Sequence, residues 1–155
     1  MADLYLSLGS NLGDREANIK AALTALNRSY GRYVALSELI ETEPLGFNSA
    51  NRFLNCCVRY EYKRPSGNPL RDCHRILKRI KEIEARLGRN LKPEYDADGS
   101  RIYHDRPIDI DILFYGTYRG SDSLVTVPHP RIAERDFVLI PLRQIMNSST
   151  IQALL

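Results

Sequence analysis

Apolar and polar side chains alternate at the start of the chain, where three leucines are separated by Tyr5 and Ser7. A period of two is typical of a strand with one buried face. A turn follows over residues 9–14 and ends at Asp14, which can cap a helix. This turn lacks the glycine and lysine spacing of the standard phosphate-binding loops, so we interpret it as a turn and helix cap. Apolar residues then recur at helical spacing from Ile19, which predicts a first helix.

The middle of the chain predicts two strands followed by a longer helix. Strands are expected over residues 32–42 and 53–62, and alternation of apolar positions is strongest in the second of these. Prolines and a glycine in residues 65–69 end that strand. Apolar residues with helical spacing then run from Leu70 to Leu87 and predict a long second helix. The helix is expected to end near Gly88, because glycine is favoured just beyond the end of a helix.

The last third of the chain adds a strand, a hairpin and an apolar helix. Residues 89–106 are polar and irregular, residues 108–114 form a strand, and a hairpin is expected near residues 116–120. Residues 137–142 are apolar and predict a packed helix. The order β-α-β-β-α-β predicts the α+β fold class, with a mostly antiparallel sheet, helices on one face and C-terminal additions. We expect one domain over residues 1–155.

Composition places the chain among globular proteins. Of its 155 residues, 43% are hydrophobic and 26% are charged, which is typical of a folded domain. No apolar run approaches the roughly 20 residues that cross a bilayer, and the first residues do not resemble a signal peptide. The cysteines at positions 56, 57 and 73 lack metal-ligand spacing, so we expect buried, reduced thiols in a cytoplasmic protein. A net charge of +3 suits an anionic small molecule as well as nucleic acid.

A pair of aspartates in a predicted strand carries the strongest chemical signal. Asp109 and Asp111 alternate with isoleucines, although carboxylates are depleted in strands. Because the isoleucines face the core, both carboxylates project from the opposite face, roughly 6–7 Å apart. Two like charges at that distance repel each other unless a cation binds between or beside them. Mg²⁺ binds one or two carboxylates together with substrate phosphates. An exposed strand face with ordinary salt bridges is the alternative interpretation.

Other side chains are suited to phosphate or to a flat ring. Arg106 precedes the aspartates, and His129 and Arg135 follow them in a proline-rich segment, where each can donate to an anion. Phe53 and Asn55 share one face of a predicted strand, so an aromatic plane lies beside a carboxamide that could hold a heterocycle. Taken singly, Arg106, His129 and Arg135 fit solvated surface positions better. Phe53 and Asn55 alone fit a core position and an edge contact better.

Five segments occur in one order along nearly the whole chain. They are YLSLGSNLGD at residues 5–14, ETEPLG at 41–46, FLN at 53–55, RPIDIDIL at 106–113 and VPHPR at 127–131. Together they resemble the 6-hydroxymethyl-7,8-dihydropterin pyrophosphokinase family of folate biosynthesis. The combination of the fourth and fifth segments is the most specific part of the resemblance.

The resemblance implies a ferredoxin-like fold and an ATP-dependent transferase that moves the β,γ-diphosphate of ATP to the pterin hydroxymethyl group and releases AMP. It implies a catalytic set of Asp109, Asp111, Arg106 and Arg89, with the two aspartates holding two Mg²⁺ ions. The implied ATP-binding residues are Glu84, Arg89, Arg106, Ile112, His129 and Arg135. The implied pterin-binding residues are Thr42, Leu45, Phe53, Asn55 and Phe137. We expect no nucleic acid, no membrane and no obligatory protein partner.

Two other functions are compatible with parts of the pattern. Ferredoxin-like domains also serve as ligand-binding or RNA-binding modules without catalysis, but such a module gains nothing from Asp109 and Asp111 beside a phosphate site. A metal-dependent nuclease or nucleotidyl transferase is the second alternative, and Phe53 and Asn55 argue only weakly against it.

Overall fold

The computed structural model describes residues 1–43 and 51–155. In chain order its elements are β1 (Ala2–Ser10), α1 (Arg15–Tyr30), β2 (Ala35–Leu36), β3 (Ile40–Thr42), β4 (Phe53–Tyr62), α2 (Pro69–Arg86), β5 (Glu94–Tyr95), β6 (Arg101–Ile102), β7 (Asp109–Tyr115), β8 (Gly120–Ser121), β9 (Thr126–Val127), a 3₁₀ turn (Ile132–Glu134), α3 (Asp136–Ile145) and α4 (Ser148–Leu154). These elements confirm the predicted α+β class. Among the residues described, none of the helices combines the length and hydropathy that a bilayer crossing requires.

A five-stranded antiparallel sheet organises the described part of the chain. Its order is β2-β4-β1-β7, and β3 pairs with β4 beyond the end of β2. The register of β1 places Gly9 opposite both Asn55 on β4 and Asp109 on β7. Ser7 likewise lies opposite Asp111. The central strand therefore brings residues that are distant in the sequence into neighbouring rows of one sheet.

One face of the sheet packs against α1 and α2. The predicted apolar stripes form this core, and Ile19, Ile76 and Ile80 are fully buried against the leucines of β1. The side chain of Asp14 caps α1 by accepting a hydrogen bond from the backbone of Ala17 at 3.1 Å. The predicted helix cap at Asp14 is thus confirmed, whereas the turn begins later than predicted, because β1 continues to Ser10.

The second face is covered in part by α3 and α4. Tyr5, Cys57 and Phe114 lie on this face and are buried with residues of α3 and α4. The predicted helices α1 and α2 share one face, and the C-terminal additions, for which no face was predicted, cover the other, because the central strands carry apolar side chains on both faces at this end. At the other end the second face carries Gly9 and Asn55 and leaves room for clefts.

The strand predicted over residues 32–42 is interrupted. The hydroxyl of Ser37 accepts a hydrogen bond from the backbone of Cys57 at 2.9 Å, while the Ser37 backbone donates to the same residue. A side-chain bond of this kind replaces one of the ladder bonds and ends regular pairing. Residues 35–36 and 40–42 therefore form two short strands, β2 and β3, on the same edge of β4.

Candidate active site

The two aspartates project from the second face of β7, as the alternation predicts. Ile108, Ile110 and Ile112 are buried in the core beneath α2. Asp109 and Asp111 are only partly buried and point the other way. The two carboxylates therefore share a face that the C-terminal helices leave open.

Arg89 connects the end of α2 with the first aspartate. Its Nη1 donates to Asp109 Oδ1 at 2.8 Å and also to a carboxylate oxygen of Glu84. Glu84 is fully buried, and the same oxygen accepts from the backbone of Ile110 at 3.0 Å. Glu84 thus lies beneath the open face and is connected to Asp109 through Arg89.

Burial shapes the charge of these carboxylates. Burial raises the pKa of Glu84, although Arg89 and Lys81 act in the opposite direction. Burial, and after it the neighbouring Asp109, raises the pKa of Asp111. Ionising Asp111 in this environment is costly unless a cation lies beside it. A divalent ion is the group that this pair fits, because Mg²⁺ sites take one or two protein carboxylates and complete their shell with substrate phosphates and water.

A cleft beside Asp109, which we call the heterocycle cleft, has a volume of about 140 Å³. Its lining includes the predicted residues Thr42, Phe53, Asn55 and Phe137. Asn55 is 5% exposed, and its amide donates to the Thr42 hydroxyl at 2.7 Å. This bond fixes the orientation of the carboxamide at the wall of the cleft. Leu45 lies outside the described residues.

Arg106 lies between an aromatic wall and a carboxylate. Its guanidinium carbon is 5.6 Å from the centre of the Phe53 ring, and its Nη1 is 3.5 Å from Asp109 Oδ2. Asn11 fixes the backbone on both sides: it accepts from the Arg106 amide at 2.7 Å and donates to the Arg106 carbonyl at 3.1 Å. The guanidinium is thereby held at the border of the heterocycle cleft.

A second cleft of about 310 Å³, which we call the nucleoside cleft, lies beside Asp111. Ile112 and His129 are among its lining residues. The Nδ1 atom of His129 accepts from the backbone of Arg131 at 3.2 Å, so the ring proton lies on Nε2. Burial, with Arg135 as the next cause, lowers the pKa of His129. A neutral imidazole that donates from Nε2 is the form this geometry favours.

Arg135 lies between the two clefts. It lines the heterocycle cleft, and its charge opposes the rise in the pKa of Asp111 and contributes to the lowered pKa of His129. Its guanidinium carbon is 5.5 Å from the Phe137 ring. Its Nε is buried and has no hydrogen-bond partner among the described residues. A buried donor of this kind would be satisfied by an anion.

Several residues that were not predicted as site residues also line the clefts. Tyr103 and Arg131 line the heterocycle cleft, and Lys81 lines the nucleoside cleft. Arg131 follows the proline-rich segment directly, so its position offered a signal. Tyr103 lies in the irregular stretch before β7, where no periodicity indicates which way a side chain points.

The three cysteines lie away from both clefts. All are free and buried, which confirms the prediction from their spacing. Burial raises the pKa of Cys56 to about 12 and, together with a smaller effect of Asp72, that of Cys73 to about 11. Because only the thiolate is a strong nucleophile, none of these groups is suited to covalent catalysis.

Comparison with known proteins gives consistent matches over nearly the whole chain. A model of the 7,8-dihydro-6-hydroxymethylpterin-pyrophosphokinase family matches residues 5–147. The 2-amino-4-hydroxy-6-hydroxymethyldihydropteridine pyrophosphokinase of Porphyromonas gingivalis is 44% identical, over 94% of this chain and 91% of that protein. The protein of that name from Bacillus subtilis is 34% identical, over 91% and 76% respectively. The mitochondrial folate synthesis bifunctional protein of Pisum sativum is 38% identical, over 95% of this chain and 26% of that protein.

Proposed function

Because the chain belongs to the 7,8-dihydro-6-hydroxymethylpterin-pyrophosphokinase family, we propose how its two clefts divide the reaction of that family. The reaction transfers the β,γ-diphosphate of ATP to the hydroxymethyl group of 6-hydroxymethyl-7,8-dihydropterin and releases AMP, a step of folate synthesis. The hydroxymethyl oxygen forms a bond to the β-phosphorus and loses its proton. The bond between the β-phosphorus and the oxygen bridging it to the α-phosphorus breaks as AMP leaves.

The position of the aspartates is the observation that supports the assignment of one substrate to each cleft. Asp109 lines the heterocycle cleft and Asp111 lines the nucleoside cleft, although only one residue separates them. A diphosphate that moves from a nucleotide in one cleft to a pterin in the other must therefore cross this pair. Diphosphate transfer depends chiefly on positioning and charge neutralisation. The charged residues where the two clefts meet, which we call the border, could supply both.

Asp109 and Asp111 are our proposed ligands for two Mg²⁺ ions. Mg²⁺ bound there would neutralise phosphate charge and help to align the diphosphate with the acceptor oxygen. The raised pKa of Asp111, caused by burial and by Asp109, supports this assignment because a cation would offset the cost of both effects.

The nucleotide is assigned to the nucleoside cleft. Ile112 offers an apolar contact to the purine, and His129 Nε2 donates a hydrogen bond. Arg89, Arg106 and Arg135 surround the border and would bind phosphate oxygens. Glu84 acts in this proposal as a positioning residue, because it is fully buried and orients Arg89.

The pterin is assigned to the heterocycle cleft. Phe53 and Phe137 offer ring faces to a flat heterocycle, and Asn55 offers a carboxamide already oriented by Thr42. Leu45 is proposed to contribute backbone groups. In this proposal the hydroxymethyl group would point toward Asp109, on the side where the diphosphate would arrive.

The reaction products test this assignment directly. We expect the protein, with ATP, Mg²⁺ and 6-hydroxymethyl-7,8-dihydropterin, to form AMP and the pterin diphosphate in equal amounts, as measured by chromatography of the nucleotides. The matched control is 6-methyl-7,8-dihydropterin, which lacks the acceptor oxygen and should give no AMP. Formation of ADP would indicate an ordinary kinase, and pterin-independent loss of ATP would contradict the assignment of the acceptor.

Gly9 should matter for the pterin because it leaves space for Asn55. A methyl group at this position would lie 2.8 Å from the Asn55 Oδ1 and 3.4 Å from the Phe53 ring. We expect Gly9→Ala to raise KM for the pterin about tenfold, the size of one lost hydrogen bond, with KM for ATP changed less than about twofold. If the effect passes through the carboxamide, Gly9→Ala should add little to Asn55→Ala. An unchanged pterin KM in Gly9→Ala would contradict this role.

Residues 1–155 are proposed to act as one pyrophosphokinase domain with ATP and the pterin as its ligands. We place the enzyme in the cytoplasm, a proposal that rests on three reduced cysteines rather than disulfides. The proposed reaction requires no nucleic acid, membrane or obligatory protein partner.

A further inference from the structure

Arg15, the first residue of α1, connects two segments that lie next to each other in the sheet. Its Nη1 donates to Glu41 Oε1 at 2.7 Å and to the backbone carbonyl of Arg52 at 3.0 Å. Glu41 belongs to β3, and Arg52 directly precedes β4. A single guanidinium nitrogen therefore holds the start of one strand against the end of another.

These bonds offer little to the stability of the fold. A positive charge in the first turn of a helix is opposed by the helix dipole. The Arg15 side chain is 32% exposed and that of Glu41 is 46% exposed, and ion pairs with this exposure typically stabilise a protein only weakly. The cost to α1 and the small gain in stability suggest that the contact serves the site instead.

The residues held by Arg15 directly precede two walls of the heterocycle cleft. Thr42 follows Glu41 and Phe53 follows Arg52, and Thr42 and Phe53 pair with each other across β3 and β4. The Thr42 hydroxyl in turn accepts from Asn55 at 2.7 Å. A shift of either strand end would move both the aromatic face and the carboxamide.

We propose that Arg15 is a positioning residue for the pterin: it fixes the spacing of Thr42 and Phe53 and so sets the width and polarity of the heterocycle cleft. The inference rests on the proposed assignment of the pterin to this cleft. Arg15 does not line either cleft, so its effect is indirect and falls on one substrate only.

Arginine is suited to this task better than lysine. One guanidinium nitrogen offers two N–H groups in a fixed plane, which match a carboxylate and a carbonyl at the same time. The ammonium group of lysine is a point charge on a flexible stem and does not hold two acceptors at a fixed spacing. Arg15→Lys should therefore keep the charge and lose part of the function.

The test compares Arg15→Met, Arg15→Lys and the matched control Lys20→Met. Lys20 lies on the same helix and pairs with Glu16 at its surface, so the control removes one exposed ion pair without touching β3 or β4. Binding is measured by calorimetry with 6-hydroxymethylpterin, in the presence of Mg²⁺ and α,β-methylene-ATP, and the nucleotide analogue is titrated separately. Thermal unfolding of each variant is followed in parallel.

We expect Arg15→Met to raise Kd for the pterin about fivefold or more, and Arg15→Lys to raise it less. Kd for the nucleotide analogue and all values for Lys20→Met should change less than about twofold. Equal weakening of both ligands, or an unchanged pterin Kd, would overturn the inference. Glu41→Gln keeps a neutral acceptor at the same place, so a small rise in pterin Kd with normal unfolding is expected there, and no rise would also count against it.

Different measurements would contradict the proposed function and the proposed role of Arg15. If the unaltered protein forms no AMP from ATP and the pterin, the proposed function itself is wrong. If it forms AMP and Arg15→Met binds pterin normally, only the role of Arg15 is wrong.

Discussion

Replacing Asp111 with asparagine is expected to lower kcat by about 10³-fold while the fold is retained. Asparagine has nearly the same shape but carries no charge, and it is a poor ligand for Mg²⁺ beside phosphates. Asp111 lines the nucleoside cleft and shares its face with Asp109, where the transferred diphosphate would cross. Removing one of two carboxylates should therefore affect the transition state more than the binding of either substrate. The measurement is the rate of AMP formation at saturating ATP and pterin.

Stability separates this effect from simple damage to the fold. Burial and the neighbouring Asp109 raise the pKa of Asp111, so its ionised form is unfavourable in the folded, metal-free protein. In buffer with a chelator, Asp111→Asn should be at least as stable as the unaltered protein. With Mg²⁺ and α,β-methylene-ATP, the melting temperature should rise for the unaltered protein and much less for the variant.

A carboxylate far from the clefts provides the control. Glu61 lies near the far end of β4, opposite Asp3 of β1, and Glu61→Gln removes the same charge there. Its kcat should stay within about twofold of the unaltered value. If a folded Asp111→Asn variant keeps kcat within about tenfold in the presence of Mg²⁺, the metal assignment is wrong.

The direction of the aspartates was predictable because strand geometry leaves little choice. In residues 108–112 the side chains alternate between two faces, and the isoleucines are far more costly to expose than the aspartates. Asp109 and Asp111 therefore had to share the open face. The cap at Asp14 was predictable for a similar reason, because it depends only on neighbours in the sequence.

Contacts between distant segments were not predictable in this way. Glu84 stands among the charged residues of α2, and its spacing alone does not distinguish a buried anchor from a solvated side chain. Only the packing of α2 against β7 brings it to the backbone of Ile110 and to Arg89. The resemblance implied a role for Glu84 at the nucleotide site, whereas the structure shows how that role would pass through Arg89.

The second face of the sheet shows the limit of pattern reasoning most clearly. The apolar run at residues 137–142 predicted a helix correctly, but an element that is apolar on most sides does not indicate which face it covers. Gly9 is a related case, because the lack of a side chain at this position leaves space for the Asn55 carboxamide. A close approach between strands depends on their register, which the sequence of one strand does not contain.

Arg89→Met is expected to weaken both stability and activity, which distinguishes it from Asp111→Asn. Arg89 holds the fully buried Glu84 and bonds Asp109 at 2.8 Å. Its loss leaves Glu84 with Lys81 at 3.4 Å and a backbone donor as its remaining partners. Breaking a buried ion pair on one side typically costs several kcal/mol, and the remaining partners reduce this to about 2–3 kcal/mol. Urea unfolding in metal-free buffer measures the loss.

The loss should depend on pH in a defined direction. Burial raises the pKa of Glu84, and Arg89 is the main group that opposes this effect. Without Arg89 the folded-state pKa rises further, so the folded state holds its proton over a wider range above the ordinary glutamate pKa. A raised folded-state pKa means that stability falls as pH increases through that range. Arg89→Met should therefore lose more stability at pH 8 than at pH 5, and the reverse order would contradict a role for the Glu84 charge.

A double variant separates the structural part of Arg89 from its part in the reaction. Glu84→Gln with Arg89→Met removes the unpaired buried charge, so most of the lost stability should return. Activity should not return, because Asp109 still lacks the guanidinium that orients it and the diphosphate still lacks a cationic contact. We expect kcat of both the single and the double variant to be lower by about 10²-fold. If the double variant recovered its activity together with its stability, Arg89 would serve only the packing of α2 against β7. The transferred diphosphate would then be bound by other cationic side chains, such as Arg106 and Arg135.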